Sequence, residues 1–269
     1  MLVTKHWVEN RKRYLLSLLA IGGLLIAWYC FILTMDKIDP LGVFFQYTAY
    51  YIGLYFVGCL YASMLFSELH ARTTGISWLS LPASTVEKLL CALLFGVFFF
   101  FIAYTLVFYL VDIPMVQFGN SLIERHPRTW PGSDQFVPAL AVYNIFIGKA
   151  GPALEPEYHI YLLGYFAVQA VFILGSVYFT RYSFMKTTVI VLLFLLIQVL
   201  LVLKLVGAIL PPGWTNTFFH WNQLDSNWRQ IKMVRLPVWA DRTLIFLLQY
   251  SLPFIFWIIT YVRLKEKEV

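Results

Sequence analysis

Six long apolar runs constrain this chain more than anything else in it: roughly 14–34, 46–67, 89–111, 158–180, 187–203 and 243–262. A hydrocarbon layer of about 30 Å takes about 20 apolar residues per helix. The fold class that follows is an all-α polytopic membrane protein with six transmembrane helices. Residues 1–269 form a single transmembrane domain. Composition agrees. Only 13% of the residues are charged, against about 25% in soluble domains, and the mean hydropathy is +0.73.

Lys and Arg density sets the orientation. With the N-terminus inside, residues 1–13, 68–88, 181–186 and 263–269 are cytoplasmic and hold eleven basic residues in 47 positions. The outer segments 35–45, 112–157 and 204–242 hold nine in 96. The sign matches the positive-inside rule, which places both termini in the cytoplasm. The net charge of +6 is dispersed along the chain, so the partner it suggests is anionic lipid, with no nucleic acid. Arg11, Lys12 and Arg13 precede the first run, but that run is long and no small-residue cleavage site follows, so it is retained as a span.

The two long outer loops hold the irregular sequence. Residues 112–157 carry Pro114, Pro127, Pro131, Pro138, Pro152 and Pro156, a spacing that predicts turns. The fifth run is short, which leaves 204–213 either to extend it or to re-enter the membrane before Pro211-Pro212-Gly213 breaks the helix. Trp214, Trp221, Trp228 and Trp239 follow. They suit rings anchored at headgroup depth, or else a lid that contacts substrate.

The connector between the second and third runs is more specific than a polar loop requires. Thr73, Thr74 and Gly75 end one helix, and Ile76, Trp78, Leu79 and Leu81 give a short segment an apolar side. Pro82 disfavours helical geometry at Leu81. Ser84 and Glu87 then fit a capping box, with Ser84 as N-cap and Glu87 at the third helical position. Sequence physics leaves this segment either resting in the headgroups or docked on a cytoplasmic partner.

The string from Phe66, Glu68 and Leu69 through Thr74-Gly75-Ile76, Trp78-Leu79 and Leu81-Pro82-Ala83-Ser84 to Glu87-Lys88 resembles the loop after the second span in ABC-2-type transporter permeases. Six spans and a basic amphipathic N-terminal segment with Lys5, Trp7, Val8, Arg11 and Lys12 are similar too. The resemblance implies a permease subunit of an ABC exporter in a bacterial cytoplasmic (inner) membrane. Its implied partners are a separate ABC ATPase subunit and a second permease subunit, as a homo- or heterodimer. Thr74, Gly75, Ile76, Trp78, Leu79, Leu81 and Pro82 would then form a cytoplasmic coupling helix in contact with the ATPase, followed by the Ser84–Glu87 cap. Tyr50, Tyr51, Phe98 to Phe101, Tyr104 and Phe108 would suit a lipid-like or amphiphilic cargo, or simply face lipid.

The chain has no Gly-x-x-x-x-Gly-Lys-Ser/Thr string, so ATP and Mg would bind on the partner chain, and this chain is expected to carry no cofactor, metal or catalytic residue. His220 and Asp225 match a His-x-x-x-x-Asp pattern of glycerolipid acyltransferases, without room for the domain those enzymes need. Glu155, Glu157 and His159 form a weak metal-ligand set at the mouth of the fourth run, and Glu68 with His70 is an ordinary interfacial pair. Cys30, Cys59 and Cys91 all fall within apolar runs as small hydrophobes. No Asp, Glu, Lys or Arg falls near a midplane, which argues against ion-coupled transport. Gln198 and Gln249 are expected to hydrogen-bond between helices, and Pro253 to kink the sixth. The rival readings are a membrane-embedded enzyme acting on a lipid or isoprenoid-linked substrate at the outer face, and a non-catalytic scaffold.

Overall fold

The computed structural model describes residues 2–35, 41–66, 83–125, 139–145, 158–209, 214–217, 220–224, 230–235 and 238–268. Six long helices carry the architecture: α1 (Leu2–Met35), α2 (Val43–Met64), α3 (residues 85–125), α4 (Tyr158–Tyr178), α5 (Ser183–Ile209) and α6 (Val238–Glu268). Five segments among the described residues are long and apolar enough to cross a membrane: Tyr14–Thr34, Val43–Met64, Thr85–Arg125, Tyr161–Tyr178 and Ser183–Leu201. Helix α6 contains the expected sixth run.

The basic N-terminal segment is continuous with the first span in one 34-residue helix. Helix α3 starts at the Ser84 cap and changes to π-helical winding over Leu94–Phe99. There Leu65 packs so close to Gly96 that a side chain at that position would collide with it. The winding returns to α-helical at Phe100 and persists to Arg125.

That continuation corrects the expectation that residue 112 begins a turn-rich loop. Phe108, Asp112, Val116, Gly119 and Ile123 are buried at intervals of three and four residues, with Val111 beside them, which lays one continuous face against the bundle. This packing outweighs the cost of Pro114 in the helix interior, about 3 kcal/mol. The segment 204–242 also differs from an irregular loop. Helix α5 extends through Ile209, and α6 begins at Val238. Between them lie three short antiparallel strands, β1 (Trp214–Thr217), β2 (His220–Leu224) and β3 (Gln230–Arg235), in the order β1-β2-β3. Trp214 pairs with Gln223 and His220 with Arg235, and the register slips between Gln223 and Leu224. Beyond Ile209 the Pro211-Pro212-Gly213 sequence disfavours helical winding, and Trp, Thr, Ile and Val favour the extended alternative.

Helix α4 packs on α6, α2 and α5, while α1 lies against α3. One end of the bundle, here called distal, carries the end of α1, the start of α2 and the end of α3. The other, proximal, carries the start of α3 and the turn from α4 to α5. Two cores stack along the bundle. The distal one is built from aromatic rings, among them Tyr29, Tyr50, Tyr104, Phe108, Tyr143 and Tyr165. The proximal one is mainly aliphatic and small, around Cys59, Ala62, Leu93, Val97, Ile173 and Leu264.

At the proximal end the Lys267 ammonium donates to the Val177 carbonyl at 2.6 Å, satisfying an acceptor in the last turn of α4. Arg263 sits over the Tyr178 ring at 4.9 Å. Burial pulls the Lys267 amine below its ordinary range, with Arg263 adding to the effect.

Candidate functional site

The expected partner-binding segment, Thr74, Gly75, Ile76, Trp78, Leu79, Leu81 and Pro82, lies outside the described residues, as do Glu68 and His70. Its immediate continuation is described. Ser84 is extended, with φ −66° and ψ 153°, and its hydroxyl accepts from the Glu87 N–H at 3.2 Å. The Glu87 carboxylate accepts from the Ser84 N–H at 3.0 Å. The reciprocal box expected from the sequence is therefore formed, and it fixes where the chain leaves the 74–82 segment and enters α3. Beside this start, Val86, Leu90 and Leu94 of α3 face Phe254, Trp257 and Tyr261 of α6 across an open apolar cleft of about 880 Å³.

The denser polar chemistry lies at the distal end, where Tyr50 and Tyr104 join groups that the sequence pattern does not single out: Gln46, Tyr109, Asp112 and Tyr143. Residues 139–145 run over the bundle there without helical or strand hydrogen bonds of their own, and side chains take over that role. The Gln46 amide donates to the carbonyls of Leu41 (2.7 Å) and Ala141 (3.0 Å) and accepts from the Tyr143 N–H (2.6 Å). Tyr109 accepts from the Ile145 N–H at 3.1 Å. Tyr143 and Ile145 are consequently buried, and Leu41 and Gln46 are fully enclosed. Irregular backbone is tolerated in a protein interior where its polar groups are paired.

Beneath this segment lies a cluster of phenols. Tyr104 donates to the Tyr50 carbonyl at 3.0 Å, and Tyr50 shares a hydrogen bond with Thr105 at 3.0 Å. Tyr47 stands edge-on to both Tyr143 and Tyr161. Tyr29 of α1 donates to the Asp112 carboxylate at 2.6 Å, and both residues are wholly buried. The sequence pattern does not mark Asp112, because the third apolar run reaches membrane length one residue before it. The helical spacing Phe108–Asp112–Val116 was the signal that could have kept it inside.

The aromatic set expected to suit a cargo divides. Tyr50, Tyr104 and Phe108 are fully buried, and Tyr51 and Phe100 nearly so, which makes them core. Phe98 and Phe99 are each 48% exposed and face outward. Phe101 packs on Tyr165 and Phe166. None of the described pockets is lined by the buried members.

Cys30 is exposed on α1, while Cys59 and Cys91 are buried, and all three are free thiols. Among the described residues no three His, Cys, Asp or Glu side chains converge as metal ligands. His220 is placed in β2, whereas Asp225, Glu155 and Glu157 lie outside the described residues. His159 and Gln249 are placed on α4 and α6. Pro253 lies inside α6. Gln198 is exposed on α5, and among the described residues no hydrogen bond joins it to another helix.

Long apolar helices around a buried, hydrogen-bonded interior define the class as a multi-pass helical membrane protein. The chain matches no protein family, no curated protein and no solved structure.

Proposed function

We propose that the chain is the membrane-spanning permease subunit of an ABC-type exporter that moves a lipid-like or amphiphilic substrate. Two copies, or this chain and a similar one, work with ATPase subunits that bind ATP and Mg. In this reading α6 is the sixth span, the proximal end faces the cytoplasm of a bacterial inner membrane, and the distal end faces outward. The observation that carries it is the Ser84–Glu87 capping box. It stands at the end of the string Thr74 to Lys88 that resembles the permease coupling loop. A rigid cap there suits a segment that passes motion from a docked ATPase into α3. The apolar cleft between α3 and α6 gives an amphiphile a surface to follow from the inner leaflet.

The test is retention of the ATPase subunit. Trp78 and Leu79 are the large apolar side chains of the segment, and truncating central anchors of an interface costs about 2 kcal/mol or more. Trp78→Ala with Leu79→Ala should abolish co-purification of the ATPase, or uncouple its turnover from transport, while the chain still inserts. Unchanged recovery together with unchanged ATP-driven transport overturns the reading. Purified alone, the chain should hydrolyse no ATP.

A further inference from the structure

Asp112 is a carboxylate enclosed in the bundle with one of its two oxygens unpartnered. One oxygen accepts from Tyr29, and the other is buried without a hydrogen-bond partner. The titratable groups that the structure sets against it are phenols: Tyr29 from α1 and Tyr109 from α3 itself, with Tyr104 of α3 next to Tyr29. No charged side chain among the described residues acts on it. Ionised carboxylates away from water need a cation or several donors, and a single phenol is neither. A metal ion or an organic ammonium would need space and further ligands. The described pockets do not reach Asp112, and no cluster of ligating side chains surrounds it. A proton needs neither.

We propose that Asp112 is a proton-binding site: the proton resides on Oδ2 while Tyr29 donates to Oδ1, and this neutral pair is what closes α1 against α3. When the proton leaves, the O–H bond breaks, its electron pair stays on Oδ2, and the proton passes to water admitted between the two helices. The closed pair binds a proton that the opened one releases, so acid favours closure and alkali favours parting. The site belongs to the bundle alone and does not depend on the transport reading.

Infrared spectroscopy of the full chain in lipid nanodiscs tests it. At neutral pH the protein should show the C=O stretch of a protonated carboxyl that moves on ¹³C-aspartate labelling. Asp112→Asn should remove that band. Tyr29→Phe should shift it to higher frequency, because the C=O loses its donor. Raising the pH should bleach it. Wild type and Asp112→Asn with the same carboxyl region at neutral pH overturn the proposal. If Asp112→Asn does not fold, the labelled wild type and Tyr29→Phe decide: a labelled band that Tyr29→Phe shifts supports the site, and an unshifted or absent band overturns it.

Discussion

Asn120 and Leu140 are joined by two reciprocal hydrogen bonds. The Asn120 amide donates to the Leu140 carbonyl at 3.0 Å, and the Leu140 N–H donates to Asn120 Oδ1 at 2.7 Å. A side chain thus occupies the place of a neighbouring strand. Asn120→Ala leaves both backbone groups unpaired, at a cost of about 1–3 kcal/mol where they stay dry. The expected outcome is a lower unfolding temperature in detergent and faster proteolysis within 139–145. An unaltered cleavage rate would show that Asn120 does not hold the segment.

Gln46 acts on the same segment through three contacts, and its amide polarity matters. Two carbonyls face its nitrogen, and one N–H faces its oxygen. Gln46→Glu keeps the acceptor but turns a negative oxygen toward the Leu41 and Ala141 carbonyls. We expect it to destabilise by about 2 kcal/mol or more, since buried charge and lost donors act in the same direction. Gln46→Leu leaves both carbonyls and the Tyr143 N–H unpaired and should cost more still. Thermal unfolding of the pair of variants gives the order, and the reverse order contradicts the bond assignment.

Tyr143 supplies a pH dependence. Burial pushes its phenol up to about 12; the neighbouring Tyr51 opposes the shift, and Tyr109 adds to it. The folded protein therefore keeps a proton that the unfolded chain gives up near 10. The associated stability is complete below about pH 10 and is lost as pH rises through about 12. Unfolding temperature should fall across that window, and Tyr143→Phe should flatten the decline. A decline of equal steepness in the variant would place the titration elsewhere.

The sequence made the helices legible because membrane length leaves a chain few choices, and the Ser84–Glu87 cap was legible because its spacing is local. The distal site was not. Gln46 meets Tyr143 across 97 residues, and Tyr29 meets Asp112 across 83. Partners so far apart leave no periodic mark. Asp112 was further hidden by Pro114, whose local signal says loop while the buried face of α3 says helix. The strands at 214–235 were obscured in the same way, by a polar, Trp-rich composition that suits membrane anchoring equally well.

Close packing of α2 on α4 depends on Gly58. A Cβ there would lie 2.6 Å from the Gln169 amide nitrogen and 2.8 Å from the Tyr165 ring. Tyr165 is held by its hydrogen bond from Gln169 at 2.7 Å and is nearly fully buried. Neither neighbour has room to retreat. Gly58→Ala should cost about 1–3 kcal/mol, the range for overpacking, and Gly58→Leu should prevent assembly of the bundle. A Gly58→Ala protein as stable as wild type would mean that the two helices can part at little cost.

Sidedness follows from the basic residues, and two exposed positions test it. Tyr182 lies in the proximal turn between α4 and α5 at 75% exposure. Its φ of 54° is a left-handed conformation that marks a sharp reversal. Arg181 and Lys186 flank it, which predicts a cytoplasmic location. Glu124 is exposed at the distal end of α3. Cys30 is the exposed native thiol among the three cysteines, so the background for labelling is Cys30→Ala. In intact cells an impermeant maleimide should label Glu124→Cys and spare Tyr182→Cys until the membrane is opened. Labelling of Tyr182→Cys with protection of Glu124→Cys would invert the bundle. Residues 74–82 leave α2 at the end that also carries Tyr182, so inversion would put them outside, beyond reach of any cytoplasmic ATPase, and the exporter reading would fall with the orientation.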